Sequence, residues 1–308
     1  MIDPQLLALQ ALNGLQLGIM LFLMAAGLTL VFGIMNLINL AHGSLYMVGA
    51  YLAATFQGWT GSFLLSALLA VPATLAVGVV VELVVLRSLY ARDHLDQVLA
   101  TFGLILFFNE LVRILWGPSA LFVAPPEFLS GQIELPLGIV YPTYRFAIIA
   151  VGLAVALFLY VLIARTRVGM LIRAGASNRA MVGALGVDVK LLYTGVFGLG
   201  AALAGLAGLM AGPILSVESG MGEPILILTF VVIVIGGIGS VRGAFLGALL
   251  IGVIDTLGRT LLPATLRAAF NPSVANAVGP ALASMLIYVV MALVLAFRPQ
   301  GLFPARGA

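Results

Sequence analysis

The side chains best suited to bind a small polar solute lie between Asn36 and Tyr51 (NLINLAHGSLYMVGAY), directly after a highly apolar segment. Asparagine, histidine and serine offer hydrogen-bond donors and acceptors. Such groups are costly inside a membrane unless they face protein or water. The pattern is also typical of an interrupted helix, whose free backbone groups can contact a zwitterionic or polar solute. The alternative is a plain cytoplasmic turn with a helix cap. The candidate pathway residues are Asn36, Asn39, His42, Gly43 and Ser44.

A second candidate stretch covers residues 235–247 (IGGIGSVRGAFLG). Its Gly237 and Gly239 suggest a nucleotide-binding loop, but Arg242 replaces the third glycine of that pattern and no Walker lysine follows. We therefore exclude nucleotide binding and predict a close-packed break between two membrane spans, with Arg242 at the inner surface. Gly237 and Ser240 complete the candidate pathway.

The long polar stretch in the middle of the chain, residues 165–190, is rich in arginine. A cluster of cations in a short loop beside hydrophobic spans marks the cytoplasmic side of a membrane protein. Five of the fourteen basic residues lie here: Arg165, Arg167, Arg173, Arg179 and Lys190. We therefore expect this loop to face the cytoplasm and to fix the orientation of the other segments.

The same loop is predicted to contain a helix of about two turns. Ser177 or Asn178 can cap its start by accepting hydrogen bonds from free N–H groups, and Gly186 can end it in the left-handed conformation. One face is apolar, whereas Arg179 lies elsewhere. The apolar positions are Ala180, Met181, Ala184 and Leu185. Such a face can insert into a groove of a cytosolic partner. The alternative is a solvated connector whose arginines only reflect the orientation of the chain.

The composition indicates a membrane protein, since 63% of the residues are hydrophobic, 8% are charged and the mean hydropathy is +1.22. Without cysteine there is no disulfide, thiol metal site or cysteine nucleophile. His42 and His94 are too few and too far apart for a metal cluster, and we expect no cofactor in this chain. The net charge of +3 fits cytoplasmic anchoring rather than a nucleic-acid surface. No lysine or arginine precedes Arg87, so we expect the first hydrophobic segment to be retained.

Nine apolar segments have about the length needed to span the hydrocarbon core as helices. They are 10–33, 43–57, 62–86, 97–116, 144–164, 191–212, 223–240, 243–262 and 276–297. The second is short for a full span. The seventh and eighth almost touch, so we expect one of them to be a half-helix or strongly tilted. The predicted fold is an all-α polytopic membrane protein with about eight to ten transmembrane helices, some broken or half-spanning, in a single domain over residues 1–308.

The charges give the orientation of these spans. With residues 165–190 inside, ten basic residues lie inside and four lie outside or near the outer ends. The inner set adds Arg87, Arg92, Arg242, Arg298 and Arg306, and the outer set is Arg113, Arg145, Arg259 and Arg267. We therefore predict a cytoplasmic C-terminus and, with nine spans, an external N-terminus.

Four carboxylates lie in or near the spans: Glu82, Glu110, Glu223 and Asp255. Three of them are followed by an arginine that is close enough in sequence to form an ion pair. The expected pairs are Glu82–Arg87, Glu110–Arg113 and Asp255–Arg259. Glu223 is expected at an outer end of its span. We interpret the acids as structural rather than as a proton relay, and no set of free carboxylates or Ser/His/Asp indicates an enzyme.

Small residues recur every four positions along two spans, a spacing that lets helix backbones approach closely in lipid. They are Gly200, Ala204, Gly208 and Gly212, and Gly239, Gly243 and Gly247. We expect them to pack within the chain, and packing against a second membrane subunit is the alternative.

With these stretches identified, the chain resembles the membrane permease of branched-chain amino-acid ABC importers. The similarity is carried by GLTLVFGIMNLINLAHGSLYMVGAY (27–51), RTRVGMLIRAGASNRAMVGALGV (165–187) and FVVIVIGGIGSVRGAFLGALLIG (230–252). These occur in the order and spacing of the family, and the resemblance extends over essentially the whole chain. The first stretch matches the NFAHGE-like motif of the family, with Ser44 where glutamate is common. That departure leaves the solute open between branched-chain amino acids, short-chain amides, urea and aromatic or other carboxylates.

The resemblance implies a multi-pass subunit of the bacterial inner membrane, embedded in lipid and paired with a homologous second permease. It also implies two cytosolic ATPases, which use ATP and Mg²⁺, and a periplasmic binding protein that delivers the solute. The coupling helix of the family corresponds to Ser177–Gly186. Dimerisation of the ATPases would move this helix and change the side to which residues 36–51 and 230–247 open.

The competing function is an ion- or proton-coupled carrier that works alone and depends on a membrane carboxylate such as Glu82 or Asp255. A channel or structural scaffold is a third class, and its solute flux would ignore ATP. We favour the ATP-driven importer because the chain lacks an ATP site of its own yet presents a capped helix on its cytoplasmic side.

Overall fold

The computed structural model describes residues 4–267 and 270–304, so Arg306 of the predicted inner set lies outside the described residues. The described chain forms eleven α-helices and one antiparallel β-hairpin. The helices are α1 (Pro4–Met35), α2 (His42–Thr60), α3 (Phe63–Val84), α4 (His94–Trp116), α5 (Thr143–Arg165), α6 (Arg167–Ser177), α7 (Arg179–Ala184), α8 (Val189–Ala211), α9 (Gly222–Gly236), α10 (Val241–Leu266) and α11 (Pro272–Phe297). The hairpin pairs β1 (Gln132–Leu135) with β2 (Ile139–Pro142). The predicted all-α polytopic fold is confirmed.

Seven of the described helices are long and apolar enough to cross a membrane, namely α1, α3, α4, α5, α8, α10 and α11. Two further apolar helices are shorter, with 19 residues in α2 and 15 in α9. At 1.5 Å per residue, α9 is about 22 Å long, which is less than the hydrocarbon core of about 30 Å. All nine predicted segments are therefore helical, and α9 is the predicted half-helix.

Helices α1 and α8 form the centre of the described bundle and are the most buried of its long helices. Small residues allow other backbones to approach α8 closely. Gly200 of α8 faces the backbone of Gly27 in α1, and Gly208 packs on the backbone of Tyr46 in α2. The small residues of α8 thus pack within the chain, as predicted, because no side chain keeps the backbones apart.

Helices α3, α4, α5 and α11 lie around this centre and expose much of their apolar surface. Helix α4 is an example, with four exposed apolar side chains along its first half: Leu95, Leu99, Phe102 and Leu106. An aqueous surface would not tolerate so much contiguous apolar area, whereas lipid tails accept it. The outer helices are therefore built to face lipid or another membrane protein.

The segment between α4 and α5 covers the end of the bundle at which α1 begins. Tyr141 of β2 donates a hydrogen bond of 3.2 Å to the Leu12 carbonyl, and Arg145 of α5 donates one of 2.6 Å to the side-chain oxygen of Asn13. We call this end, which carries the β1–β2 hairpin, the hairpin end. The opposite end carries α6 and α7 and is called the α7 end.

The three predicted ion pairs are present. Each arginine lies on the same helix as its acid or shortly beyond the end of that helix, as its sequence spacing predicts. The nitrogen–oxygen distances are 3.3 Å for Arg87–Glu82, 3.1 Å for Arg113–Glu110 and 2.9 Å for Arg259–Asp255. These pairs neutralise acids that lie within apolar helices or at their ends.

Candidate functional site

The helical path of the chain breaks after Met35 and resumes at His42. The exposed Asn36 adopts the left-handed conformation with a φ of 51°, which asparagine tolerates better than most residues. The His42 ring packs against Gly27, which lies eight residues before the end of α1 and so about 12 Å back along that helix. The break therefore folds back into the bundle, and α2 starts inside it.

Two buried polar side chains at this break are unsatisfied. Asn39 and His42 are both 0% exposed, and the polar atoms of both side chains have no hydrogen-bond partner within the described chain. The Met24 carbonyl lies near the imidazole, but no hydrogen bond forms between them. An unpaired buried polar group costs about 1–3 kcal/mol and usually indicates a water or ligand that completes it. A plain turn exposed to water would not bury the side chains of Asn39 and His42 completely.

The first turns of the two short helices meet inside the bundle. A methyl group added at Gly43, the second residue of α2, would lie 2.5 Å from the carbonyl oxygen of Gly222 at the start of α9. Helix N-termini present N–H groups without helical partners and carry partial positive charge. The N-termini of α2 and α9 therefore lie next to each other inside the bundle.

A narrow crevice, too tight for a water molecule, lies beside this contact, between α2, α4 and α9. Its polar lining is provided by Ser44, Asn109 and Glu223. The remaining side chains that line it are apolar: Leu40, Met47, Ile105 and Leu226. The Asn109 amide donates a hydrogen bond of 2.6 Å to the Glu223 carboxylate.

This crevice was not predicted from the sequence. Glu223 was expected at an outer end of its span, and Asn109 was not among the candidate residues. Glu223 lies in the first turn of α9 and is joined to a side chain seven residues before the end of α4. The two residues are 114 positions apart, so no local spacing could signal their contact. The sequence did contain one indication that Glu223 differs from the paired acids, since no arginine lies near it in sequence.

Residues 235–247 contain the turn between α9 and α10, which covers residues 237–240, and this turn is the predicted close-packed break. Gly237, with a φ of 106°, packs against the C-terminal segment, and a methyl group added to it would lie 2.8 Å from the Phe303 carbonyl. The Ser240 hydroxyl caps α10 by accepting a hydrogen bond of 3.1 Å from the N–H group of Gly243. A role of Gly237 and Ser240 in the solute pathway stays a prediction.

Two helices, rather than the single one predicted, occupy the arginine-rich loop. The additional helix is α6, whose 11 residues follow a Thr166 side chain that accepts a hydrogen bond from Gly169. Ser177 is the last residue of α6 and does not cap α7. The cap is Asn178, whose side-chain oxygen accepts a 3.0 Å hydrogen bond from the N–H group of Met181. Gly186 follows α7 with a φ of 86°, the predicted left-handed conformation.

Helix α7 exposes its apolar side chains. Met181 is 58% exposed and Leu185, which follows the helix, is 76% exposed. Two more predicted positions on this face, Ala180 and Ala184, are exposed as well, as is Arg179. Val182 is only 4% exposed and anchors the helix to the rest of the protein. The apolar surface is thus presented outward at the α7 end.

A network of polar contacts ties α3 to the start of α8, close to α7. The buried Glu82 carboxylate accepts hydrogen bonds from Arg87, from Tyr90 and, over 2.8 Å, from the Thr194 hydroxyl of α8. Arg87 also donates a 2.8 Å hydrogen bond to Thr194. Burial and, second, the hydrogen bond to Glu82 raise the pKa of Tyr90. The phenol therefore stays protonated and remains a donor.

Comparison with known proteins gives consistent matches. Residues 10–295 match the family described as branched-chain amino acid transport system / permease component. The chain is 31% identical to the high-affinity branched-chain amino acid transport system permease protein BraD of Pseudomonas aeruginosa, over 95% of this chain and 94% of the relative. LivH of Salmonella typhimurium, which carries the same description, is 31% identical over 82% of this chain and 86% of its own length. The ribose import permease protein RbsC of Escherichia coli is 28% identical, over 76% and 72%. No solved structure matches the chain.

Proposed function

This chain belongs to the permease family of branched-chain amino-acid transport systems, and from this premise we propose that it is the membrane subunit of an ATP-driven importer. The proposed solute is a branched-chain amino acid or a related small amide or carboxylate. The relatives that are 31% identical to this chain are described as permeases of branched-chain amino acid transport systems, which supports this class of solute. Because those relatives are permease subunits, we do not expect the chain to be an enzyme.

The observation that carries the proposal is the exposed apolar face of α7. Met181 and Leu185 are exposed on a short capped helix, and exposed apolar groups of this kind are suited to a groove in a protein partner. We propose that residues Ser177–Gly186 dock onto a cytosolic ATPase. In this arrangement ATP and Mg²⁺ bind to the two ATPase subunits, and this chain itself holds no cofactor.

The contacts of α8 suggest how movement of α7 could reach the centre of the bundle. Helix α8 begins five residues after the end of α7. It is tied to α3 through Thr194 and Glu82, and further along it packs on α1 at the Gly27–Gly200 contact. The ring of His42 lies against the same Gly27. A shift of α8 would therefore disturb the α1–α2 break, and we propose that this alternates the access of the solute.

The proposed solute pathway passes the α1–α2 break. The unsatisfied Asn39 and His42 side chains, buried within the bundle, support it because a passing polar solute could satisfy them. The remaining members of the proposed pathway are Asn36, Gly43, Ser44, Gly237 and Ser240.

The proposed assembly contains this chain, a homologous second permease, two ATPases and a periplasmic solute-binding protein, in the bacterial inner membrane. Basic residues at the α7 end support a cytoplasmic location for that end and for the C-terminus. The orientation follows from the arginine-rich loop, residues 165–190.

The experiment that tests this assembly is purification of the chain from its native membrane in mild detergent, followed by mass spectrometry of the bound proteins. Recovery of two ATPases and a second permease is the expected result, and the companion binding protein can then be screened for solutes. Recovery of this chain alone, under conditions that preserve known membrane complexes, would contradict the proposal and favour a carrier or channel.

A further inference from the structure

The Glu223 carboxylate has no cationic partner among the residues that the structure describes. Glu82, Glu110 and Asp255 pair with arginines, whereas Glu223 accepts a hydrogen bond from the neutral Asn109 amide. The N-terminus of α9 offsets part of its charge. The partly buried Glu223 still lacks the charged partner that membrane-embedded acids usually have, and a cation bound at the crevice would supply it.

Ser44 provides a second, independent indication of a ligand in the crevice. Its side chain is 4% exposed, it lines the crevice, and its hydroxyl makes no hydrogen bond within residues 4–267 and 270–304. The hydroxyl is therefore free to form a hydrogen bond with a ligand in the crevice. Ser44 lies in the first turn of α2. The N–H groups of Ser44 and Leu45 already donate to the Ala41 carbonyl, so the Ser44 hydroxyl is the side-chain donor that this turn offers to the crevice.

We propose that this crevice is the binding site for the solute inside the membrane, and that Glu223 and Asn109 bind the ammonium group of the solute. The Ser44 hydroxyl faces its carboxylate. The apolar side chains of Met47, Ile105 and Leu226 contact an aliphatic side chain. This inference rests on the proposed function and narrows its solute class to α-amino acids with aliphatic side chains, excluding amides, urea and carboxylates that lack an amine.

The size of the crevice indicates how the site opens. In this structure the crevice leaves no room for a water-sized molecule, whereas ligand pockets typically have roughly 300–1,000 Å³. Solute binding therefore requires α2, α4 and α9 to separate, and the glycine contact between α2 and α9 holds them together in this structure. The crevice as seen here is the closed form of the site.

The test measures thermal unfolding of the complete permease–ATPase complex, without the binding protein, in the presence of three small molecules. Leucine has both charged groups, isoamylamine is leucine without the carboxylate, and isocaproate is leucine without the ammonium. A ligand that binds the folded complex raises its unfolding temperature. We expect leucine and isoamylamine to stabilise the wild-type complex and isocaproate to have little effect.

A Glu223→Gln variant removes the charge but keeps an oxygen that accepts the Asn109 hydrogen bond. We expect its affinity for leucine and isoamylamine to fall by about tenfold or more, because a hydrogen bond to a charged group is lost. The matched control is Glu110→Gln on α4, which removes an exposed carboxylate paired on its own helix and should leave both responses unchanged.

Three results would overturn the inference: equal stabilisation by isocaproate and leucine, no stabilisation of the wild type by any of the three molecules, or a wild-type response of Glu223→Gln. The first two need no variant, so they decide the matter even if Glu223→Gln fails to assemble. ATP-dependent uptake by the wild-type importer is measured separately, and its presence would keep the proposed function intact while this inference fails.

Discussion

Gly43 and Gly222 touch backbone to backbone, so that the start of α2 rests directly on the start of α9. These two helices are the short ones of the bundle, and their N-termini converge where the polar crevice lies. Any side chain at either position would push the helices apart, which explains why glycine occupies both. The contact thus holds the N-termini of α2 and α9 together.

Gly43→Ala should destabilise this closed form. Its methyl group would meet the Gly222 carbonyl at 2.5 Å, and overpacking of this kind typically costs about 1–3 kcal/mol. Thermal unfolding of the purified complex should show a lower midpoint. Gly58→Ala, in the same helix but with no atom near the added methyl group, is the control and should show no loss. Equal unfolding midpoints for the two variants would mean that α2 and α9 accommodate the added methyl group without loss of stability.

Ala184→Asp should weaken association with the ATPase while leaving the chain in the membrane. The variant puts a charge on the exposed apolar face of α7, and burying it unpaired in an interface costs several kcal/mol, so affinity should fall by about tenfold or more. Co-purification of the ATPase measures the effect. Ala176→Asp on α6 is the matched control, since it adds the same charge at an exposed position outside α7. Normal association and transport by Ala184→Asp would refute the docking assignment.

Asn39→Leu and His42→Leu should reduce solute-dependent turnover more than assembly. Both side chains are buried without hydrogen-bond partners in the described structure, so apolar replacements of similar size should be nearly neutral for folding. Uptake and the unfolding midpoint are measured side by side. Thr29→Val, which removes another buried hydroxyl that lacks a partner, controls for the loss of a polar group alone. Unchanged turnover in both leucine variants would mean that these residues only shape the turn.

The membrane orientation can be tested with single cysteines, because the natural chain has none. A cysteine in place of Ser130, at the hairpin end, should react with a membrane-impermeant thiol reagent in intact spheroplasts. A cysteine in place of Ala176, at the α7 end, should react only after permeabilisation, because the arginine-rich loop is expected inside. Both residues are exposed, so access depends on sidedness. The reverse labelling pattern would invert the proposed topology.

Local features of this structure could be predicted from the sequence because they depend on residues a few positions apart. The Asn178 cap, the left-handed Gly186 and the Asp255–Arg259 pair all follow from such spacings. Helix α6 was not predicted although Thr166 offered a cap, because the apolar positions 180, 181, 184 and 185 indicated only the helix that follows it.

Contacts between distant segments could not be predicted in the same way. Glu223 with Asn109 and Glu82 with Thr194 join residues 114 and 112 positions apart, and no periodicity encodes which helices become neighbours. The sequence indicated that one of the later spans is a half-helix, but not that its first residue would touch the first turn of α2. The crevice is a product of that tertiary contact.

The most direct test of the account is solute uptake into liposomes that contain the complete purified importer and its binding protein. We predict that uptake of a branched-chain amino acid requires ATP, ignores dissipation of the proton gradient, and survives Glu82→Gln and Asp255→Asn as far as these variants assemble. Uptake by this chain alone, driven by a proton gradient and abolished by neutralising either acid, would contradict the account and identify a stand-alone carrier.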